Sequence, residues 1–66
     1  MQKPPPLVTT IGAAARQAGV SVETIRFYER SLLVRQPSKS AASGARHYPP
    51  ETVARIRFIR QAQQLG

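Results

Sequence analysis

The sequence predicts a mainly α-helical domain: two short helices in tandem, a small two-stranded hairpin and a third helix. Two segments, "TIGAAARQAG" and "SVETIRFYERS", have a helix-favouring composition and apolar periodicity, and a tight glycine-containing link joins them. Short apolar runs then flank a tip of small and polar residues, which is typical of a hairpin. One domain is expected, because 66 residues bury only a modest core.

Residues 1–8 are expected to form an extended or disordered lead-in, because they contain three consecutive prolines and no hydrophobic periodicity. The domain is therefore predicted to occupy residues 9–66. No apolar run approaches the roughly 18 residues of a membrane span. No apolar segment of the signal-peptide type follows the N-terminal residues either, so we expect a cytoplasmic protein without a membrane partner.

The first helix is predicted to begin after Thr10, whose side chain can cap it, and to end at Gly19. Alanine, the strongest helix former, dominates it. Its apolar side is predicted to face the core and consists of Ile11, Ala14, Ala15 and Ala18.

The second helix is predicted to begin after a Ser21 cap, with Glu23 in the first turn, and to run to about Ser31. Two short helices joined by a tight turn indicate a helix-turn-helix. At 100° per residue one face of the second helix is apolar and is predicted to be buried: Val22, Ile25, Tyr28 and Leu32.

The opposite face of the second helix is predicted to be exposed and carries Glu23, Arg26, Phe27 and Arg30. In a helix-turn-helix the start of the second helix lies in the major groove of DNA. There Arg26 suits a base edge, Arg30 a phosphate and Phe27 a thymine methyl or the sugar-phosphate chain. The alternatives are a surface aromatic without function, and arginines that only pair with Glu23 or Glu29.

Hydroxyl groups at the start of the second helix form a further candidate contact. Ser21 and Thr24 can donate to phosphates, although helix capping alone is a sufficient explanation for Ser21.

The hairpin, or wing, is predicted from "LLVRQP", which Pro37 stops, from the tip "SKSAASG" and from "ARHYPP". Alternation along a strand places Arg46 and Tyr48 on one side and His47 on the other. Arg46 is a candidate phosphate contact, whereas His47 is expected to be structural or exposed.

The third helix is predicted to begin at Pro50 and Glu51 and to run to the end of the chain. Its apolar arc is broad and consists of Val53, Ile56, Phe58, Ile59, Ala62 and Leu65. Arg55 falls inside this arc and must extend to solvent or find a partner. Arg60 lies on a polar stripe that is either a solvated face or a phosphate contact.

Charge is the strongest signal in the composition. The chain carries 10 Lys and Arg residues against 3 Asp and Glu residues, for a net charge of +7, and its isoelectric point is about 11.6. Such a domain favours nucleic acid as its partner. The alternatives are a basic protein-interaction module with an acidic partner, attraction to anionic lipid, or a basic surface that only confers solubility.

Catalytic and metal chemistry are not indicated. There is no cysteine, and a single His47 with three glutamates argues against a metal site in these residues. No paired carboxylates, nucleophile–base pair or phosphate-binding glycine loop is present, so we do not expect an enzyme.

The stretches "TIGAAARQAGVSVETIRFYERSLL", "RHY" and "ARIRFIRQAQQLG" resemble the N-terminal DNA-binding domain of MerR-family transcriptional regulators. The resemblance extends over residues 9–66 and is greatest to the metal-responsive branch, in particular to mercury-resistance regulators. It implies a mainly α winged helix-turn-helix, here truncated before the family's dimerisation helix. The chain is then a fragment of a longer regulator.

The resemblance also implies partners and a mode of action. Such regulators bind double-stranded promoter DNA as homodimers at a palindromic element, and they distort a long promoter spacer so that RNA polymerase can engage it. The family's DNA contacts map onto Arg26, Phe27, Arg46 and Tyr48. No cofactor is expected in these residues, whereas the full-length protein is expected to bind a metal ion such as mercury(II). An excisionase-like architectural module is the related alternative.

Three positions depart from the family pattern. Phe27 stands where tyrosine is common, Leu32 stands in the place of a usual glycine, and Ala14 replaces a larger apolar residue. The candidate DNA-binding residues, taken together, are Ser21, Glu23, Thr24, Arg26, Phe27, Arg30, Arg46, Tyr48 and Arg60.

Overall fold

The computed structural model describes residues 9–39 and 46–65. It contains helices α1 (Ile11–Ala18), α2 (Val22–Arg30) and α3 (Pro50–Leu65). Two isolated antiparallel bridges join Thr9 to Tyr48 and Lys39 to Arg46. The fold of the described residues is therefore mainly α, as predicted, and α1 packs against both α2 and α3.

Helix α1 begins and ends where its capping residues predict. The Thr10 hydroxyl accepts a hydrogen bond from the Ala13 amide at 3.3 Å. Gly19 has a φ of 74°, in the left-handed region that glycine adopts at little energetic cost, and its amide donates to the carbonyl of Arg16. This left-handed residue redirects the chain into the short turn before α2.

Helix α2 also begins at its predicted cap. The Ser21 hydroxyl accepts from the Thr24 amide at 3.1 Å. The helix ends at Arg30, and the Ser31 amide still donates to the Phe27 carbonyl at 3.0 Å. Glu23 lies in the first turn, where negative charge stabilises the helix dipole.

The prediction that Leu32 belongs to the core is wrong. Leu32 has a φ of 62° and a relative exposure of 90%. The helix has already ended at Arg30, so the helical projection no longer applies at this position, and a left-handed residue turns the chain instead. Val34, two residues later, fills the core and is 4% exposed.

The core is formed by one cluster of small and medium side chains around two tyrosines. Ala14 is fully buried, so the small residue at this position lies in the centre of the packing between helices. The buried members are Ala14, Ala15, Ala18, Ile25, Tyr28, Val34, Tyr48, Val53 and Ile56. Ile11, Val20, Val22 and Ile59 pack partly buried against them.

The apolar face of α3 is narrower than predicted. Val53 and Ile56 are buried, but Phe58 is 68% exposed and Ala62 is exposed as well. The arc of six residues spans more of the helix than the small core can cover. Arg55 finds a partner, since its Nε donates to the Leu33 carbonyl at 2.8 Å. This bond holds the turn after α2 against α3.

The predicted wing falls only partly within the described residues. The Lys39–Arg46 bridge is antiparallel, as the two arms of a hairpin require. The predicted tip at residues 40–45 and the predicted lead-in at residues 1–8 lie outside the described part of the chain. Within that part, no helix is long and apolar enough to cross a membrane.

Candidate nucleic-acid interface

Helix α2 separates its two adjacent aromatic rings into different environments. Tyr28 is 2% exposed, whereas Phe27 is 52% exposed, and their ring centroids lie 6.2 Å apart at an interplanar angle of 54°. Ile25 is buried beside Tyr28. The predicted division of α2 into a core face and an outward face is therefore confirmed at these positions.

The outward face of α2 presents two arginines beside Phe27. Arg26 and Arg30 are exposed. The Arg26 guanidinium lies 3.8 Å from the Glu23 carboxylate, with both side chains more than half exposed. An exposed pair of this kind contributes little free energy, so the guanidinium can exchange this carboxylate for a phosphate or a guanine edge.

The hydroxyl groups at the start of α2 are used within the helix cap. Ser21 Oγ accepts from the Thr24 amide and lies 2.9 Å from Thr24 Oγ1. Each hydroxyl nevertheless has further hydrogen-bonding capacity, since a hydroxyl oxygen accepts two bonds and donates one. Capping alone therefore explains Ser21, and a phosphate contact is compatible with it.

Tyr48 is placed differently from its predicted role as a DNA contact. The side chain is 1% exposed, and its hydroxyl donates to Glu29 Oε2 at 2.6 Å. Burial raises the pKa of the Tyr48 hydroxyl, and the hydrogen bond to Glu29 and its negative charge raise it further. A buried ring with an occupied hydroxyl does not reach an external phosphate in this conformation, so we correct its role to an internal one.

Arg46 lies at the same edge of the domain and is held by a side chain that the sequence did not single out. Its Nη2 donates to Gln36 Oε1 at 3.3 Å, and Gln36 Nε2 donates to Glu29 Oε1 at 3.4 Å. The Nε atom of Arg46 is buried and has no hydrogen-bond partner among the described residues. His47 is exposed, as predicted, whereas Arg46 and Tyr48 both line one groove.

A groove separates α2 from the chain around Arg46. It has a volume of about 390 Å³ and is lined by Thr10, Ile11, Arg26, Glu29, Gln36, Arg46 and Tyr48. A second depression of about 340 Å³ adjoins it and is lined by Arg26, Glu29, Arg30 and Gln36. We call the two together the α2 groove. It brings three of the predicted site arginines, Arg26, Arg30 and Arg46, to one surface.

The fourth predicted site arginine lies apart from this surface. Arg60 is half-buried on α3 and lines neither part of the α2 groove, so the structure does not bring it together with the α2 arginines.

Among the described residues, no group of three or more His, Cys, Asp and Glu side chains is placed to hold a metal ion.

Glu29, named from the sequence only as a possible partner of the arginines, carried a weak signal of its role, whereas nothing in the sequence marks Gln36. Glu29 is one of only three carboxylates in a chain of net charge +7, and it is placed between arginines. A carboxylate kept among cations often has a structural partner. Periodicity did not identify that partner, because Tyr48 is 19 residues away in the chain.

Comparison with known proteins places this geometry in a family. The model of the MerR HTH family regulatory protein matches residues 9–66. The mercuric resistance operon regulatory protein of Shigella flexneri is 51% identical over 57 residues, which are 86% of this chain and 39% of that protein. The protein of the same name from Bacillus cereus is 45% identical over 56 residues, 85% of this chain and 42% of that protein.

A third relative has a different printed name. The HTH-type transcriptional regulator HmrR of Sinorhizobium medicae is 43% identical over 56 residues, 85% of this chain and 37% of that protein. The chain thus spans about two-fifths of the length of these curated relatives. The family comprises transcriptional regulators and not enzymes. Because the family model covers the two tandem helices, the α2 groove and α3, the chain belongs to the MerR HTH family of regulatory proteins.

Proposed function

We propose that this domain, residues 9–66, binds double-stranded promoter DNA with α2 in the major groove. The single observation that carries the proposal is the outward face of α2. Arg26, Phe27 and Arg30 are exposed together, while Ile25 and Tyr28 anchor the opposite face in the core. A rigid helix with an arginine-rich outer face is the arrangement that reads base edges.

Each side chain of the proposed interface has its own role. Arg26 reads a base edge, because it lies one turn closer to the start of the helix than Arg30 and its only described partner is the exposed Glu23. Phe27 packs on a thymine methyl or the sugar-phosphate chain; it lacks the hydroxyl of a tyrosine. Arg30 contacts a phosphate, and Ser21 and Thr24 add hydroxyl contacts at the helix start.

Arg46 contacts a phosphate beside the major groove, from the arm of the proposed wing. The antiparallel bridge between Lys39 and Arg46 supports a wing at this position. Arg60 is a more distant phosphate contact that the α2 groove does not include. Phosphate contacts fix the orientation of the domain, whereas the contacts from α2 specify sequence.

For the whole protein we propose regulation by DNA distortion. It acts as a homodimer at a palindromic promoter element, and it deforms the spacer so that RNA polymerase engages both promoter hexamers. The relatives are named as operon regulatory proteins, which supports action at a promoter. Sequence-dependent deformability then contributes specificity at bases that no side chain touches.

Two relatives are named for mercuric resistance, so we propose mercury(II) as the effector of the whole protein. The present residues do not fit this ion. Mercury(II) is a soft cation that thiolates bind, and the 66 residues contain no cysteine. We therefore propose that mercury(II) binds the whole protein outside these 66 residues.

Titration of the chain with duplex DNA tests the proposed function. The probe is a duplex of about two helical turns that the wild-type chain selects from a random pool, long enough to hold two half-sites one turn apart. The control is a shuffled duplex of equal composition. We expect tighter binding to the selected duplex and a steep fall of affinity with salt, since phosphate contacts release counterions. Equal binding to both duplexes identifies instead an architectural module without sequence preference, and tighter binding to polyglutamate than to either duplex identifies a basic module for acidic partners.

A further inference from the structure

Glu29 is a carboxylate in an otherwise basic groove. It lines both parts of the α2 groove together with Arg26, and it is half-buried. A negative charge at a DNA-facing surface repels phosphates, so Glu29 weakens binding unless it also serves another purpose. Its partners identify that purpose.

The contacts of Glu29 belong to a chain of hydrogen bonds from α2 to Arg46, which we call the relay. Glu29 Oε2 accepts from the Tyr48 hydroxyl at 2.6 Å, and Oε1 accepts from Gln36 Nε2 at 3.4 Å. Gln36 Oε1 in turn accepts from Arg46 Nη2 at 3.3 Å. The Tyr48 contact is short, as expected for a hydroxyl on a carboxylate, and the two Gln36 contacts are at the long end of hydrogen-bond distances.

Arg46 and Glu29, at the two ends of the relay, determine which way the Gln36 amide is oriented. Arginine only donates hydrogen bonds, and an ionised carboxylate only accepts them. The Gln36 amide can therefore satisfy both neighbours in one orientation alone, with its oxygen toward Arg46 and its nitrogen toward Glu29. Replacing the carboxylate with an amide of the same shape removes this constraint.

We propose that Glu29 is a positioning residue that holds Arg46 and the Tyr48 segment against α2 in the orientation that meets a DNA phosphate. This inference rests on the proposed function. The buried Nε of Arg46 supports it, because the inner edge of the guanidinium lies against the protein rather than in solvent. Without the relay, the side chain is free to leave the groove.

The direction in which one substitution changes DNA affinity distinguishes this positioning role from a purely electrostatic effect of the charge of Glu29. Glu29→Gln removes a negative charge from the DNA-facing side, which by charge alone tightens DNA binding and steepens its salt dependence. The positioning role predicts the opposite, because the substituted amide can turn its own N–H toward Gln36, and Arg46 then loses its fixed place. Glu51→Gln, at the exposed start of α3, is the matched control with the same change of charge.

The experiment measures affinity for the selected duplex over a series of salt concentrations, for the 66-residue wild-type chain and variants. We expect Glu29→Gln to weaken binding about threefold to tenfold, in the range of one hydrogen bond. The slope of log affinity against log salt should fall in magnitude by about 0.9, which is one phosphate contact. Glu51→Gln should bind as wild type or slightly tighter.

The second part of the experiment combines the substitutions with Arg46→Ala. In that background Glu29→Gln should have no further effect on the salt slope, because the contact that it positions is already gone. Gln36→Ala removes the centre of the relay at an exposed position, so it tests the same link with little effect on folding, and we expect the same loss of slope.

Two results overturn parts of this scheme separately. Tighter binding or an unchanged slope in both Glu29→Gln and Gln36→Ala overturns the positioning role and leaves the proposed function intact. If selection from the random pool with the wild-type chain enriches no duplex over the shuffled control, the proposed function itself is overturned, and the inference with it.

Discussion

The Tyr48 hydroxyl lies 2.6 Å from Glu29 Oε2 and joins the segment before α3 to the helix that carries the outward arginines. The ring is 1% exposed, so this contact lies at the boundary between the core and the α2 groove. A hydrogen bond to an ionised group contributes about 1.5–3 kcal/mol when it is buried, and less at a half-buried carboxylate. The stability of the domain should therefore depend on this one hydroxyl.

Tyr48→Phe should lower the free energy of unfolding by about 1–2 kcal/mol at neutral pH, because it removes the hydroxyl and keeps the buried ring. Urea denaturation followed by circular dichroism measures this difference. Tyr28→Phe is a matched control that removes the hydroxyl donating to Gln63 at 2.8 Å, a neutral acceptor, and its effect should be smaller. Equal stability of wild type and Tyr48→Phe would contradict the assigned contact.

The same hydroxyl makes stability depend on pH in the alkaline range. The pKa of Tyr48 is raised above its ordinary value of 10.0, first by burial and then by Glu29. Above about pH 10 the unfolded chain loses this proton while the folded chain keeps it, so stability falls as pH rises. The difference in stability between wild type and Tyr48→Phe should be constant from neutral pH to about pH 10 and should shrink above it. A difference that stays constant to about pH 11.5 would show that the pKa is not raised.

Leu32 is predicted to be a site of backbone strain. Its φ of 62° costs a residue with a Cβ about 1–2 kcal/mol, and the exposed side chain gains almost nothing from packing. Leu32→Gly should therefore stabilise the domain by about 0.5–1 kcal/mol, after the added entropy of the unfolded chain. Thermal unfolding measures this gain.

Leu33→Gly is the control for that substitution. Leu33 does not have a positive φ, so glycine there relieves no strain and should destabilise the domain. If both glycine variants destabilise the domain to the same extent, the left-handed conformation of Leu32 is not a source of strain.

Substitutions of the two adjacent rings of α2 should affect different quantities: DNA affinity for Phe27 and the free energy of unfolding for Tyr28. Phe27→Ala should weaken binding to the selected duplex about tenfold and change the free energy of unfolding by less than about 0.5 kcal/mol, because the ring is half exposed. Tyr28→Ala should lower stability by about 3–5 kcal/mol, since it empties a fully buried site. Denaturation and titration of the same two samples measure both quantities. A large loss of stability in Phe27→Ala would contradict the outward position of its ring.

Local patterns in the sequence were sufficient for the helices and the faces of α2. Capping side chains act within three residues, so Thr10, Gly19 and Ser21 predicted three helix ends correctly. Helical periodicity is local as well, and it separated Phe27 from Tyr28. The alternation of Arg46, His47 and Tyr48 was also correct, because the first and last line one groove while His47 is exposed.

The features that the sequence did not predict depend on tertiary packing. The helical projection places Leu32 in the core only if α2 continues past Arg30, and the left-handed backbone at Leu32 was indicated only by its standing in the place of a usual glycine of the family. Tyr48 is buried in the core, and its hydroxyl bonds to Glu29, which is 19 residues away in the chain. The width of the buried face of α3 depends on the size of the core it meets, so the exposure of Phe58 was not predicted.

The most direct test of DNA reading by α2 is the effect of Arg26→Ala on both affinity and base preference. Binding to the selected duplex and to its single-base-pair variants is measured for wild type, for Arg26→Ala and for Arg57→Ala, an exposed arginine outside the α2 groove. We expect Arg26→Ala to weaken binding by about 1–3 kcal/mol and to lose preference at one base pair, while Arg57→Ala keeps the wild-type preference at every position. An Arg26→Ala chain with unchanged affinity and unchanged preference would contradict the assignment of α2 as the recognition helix.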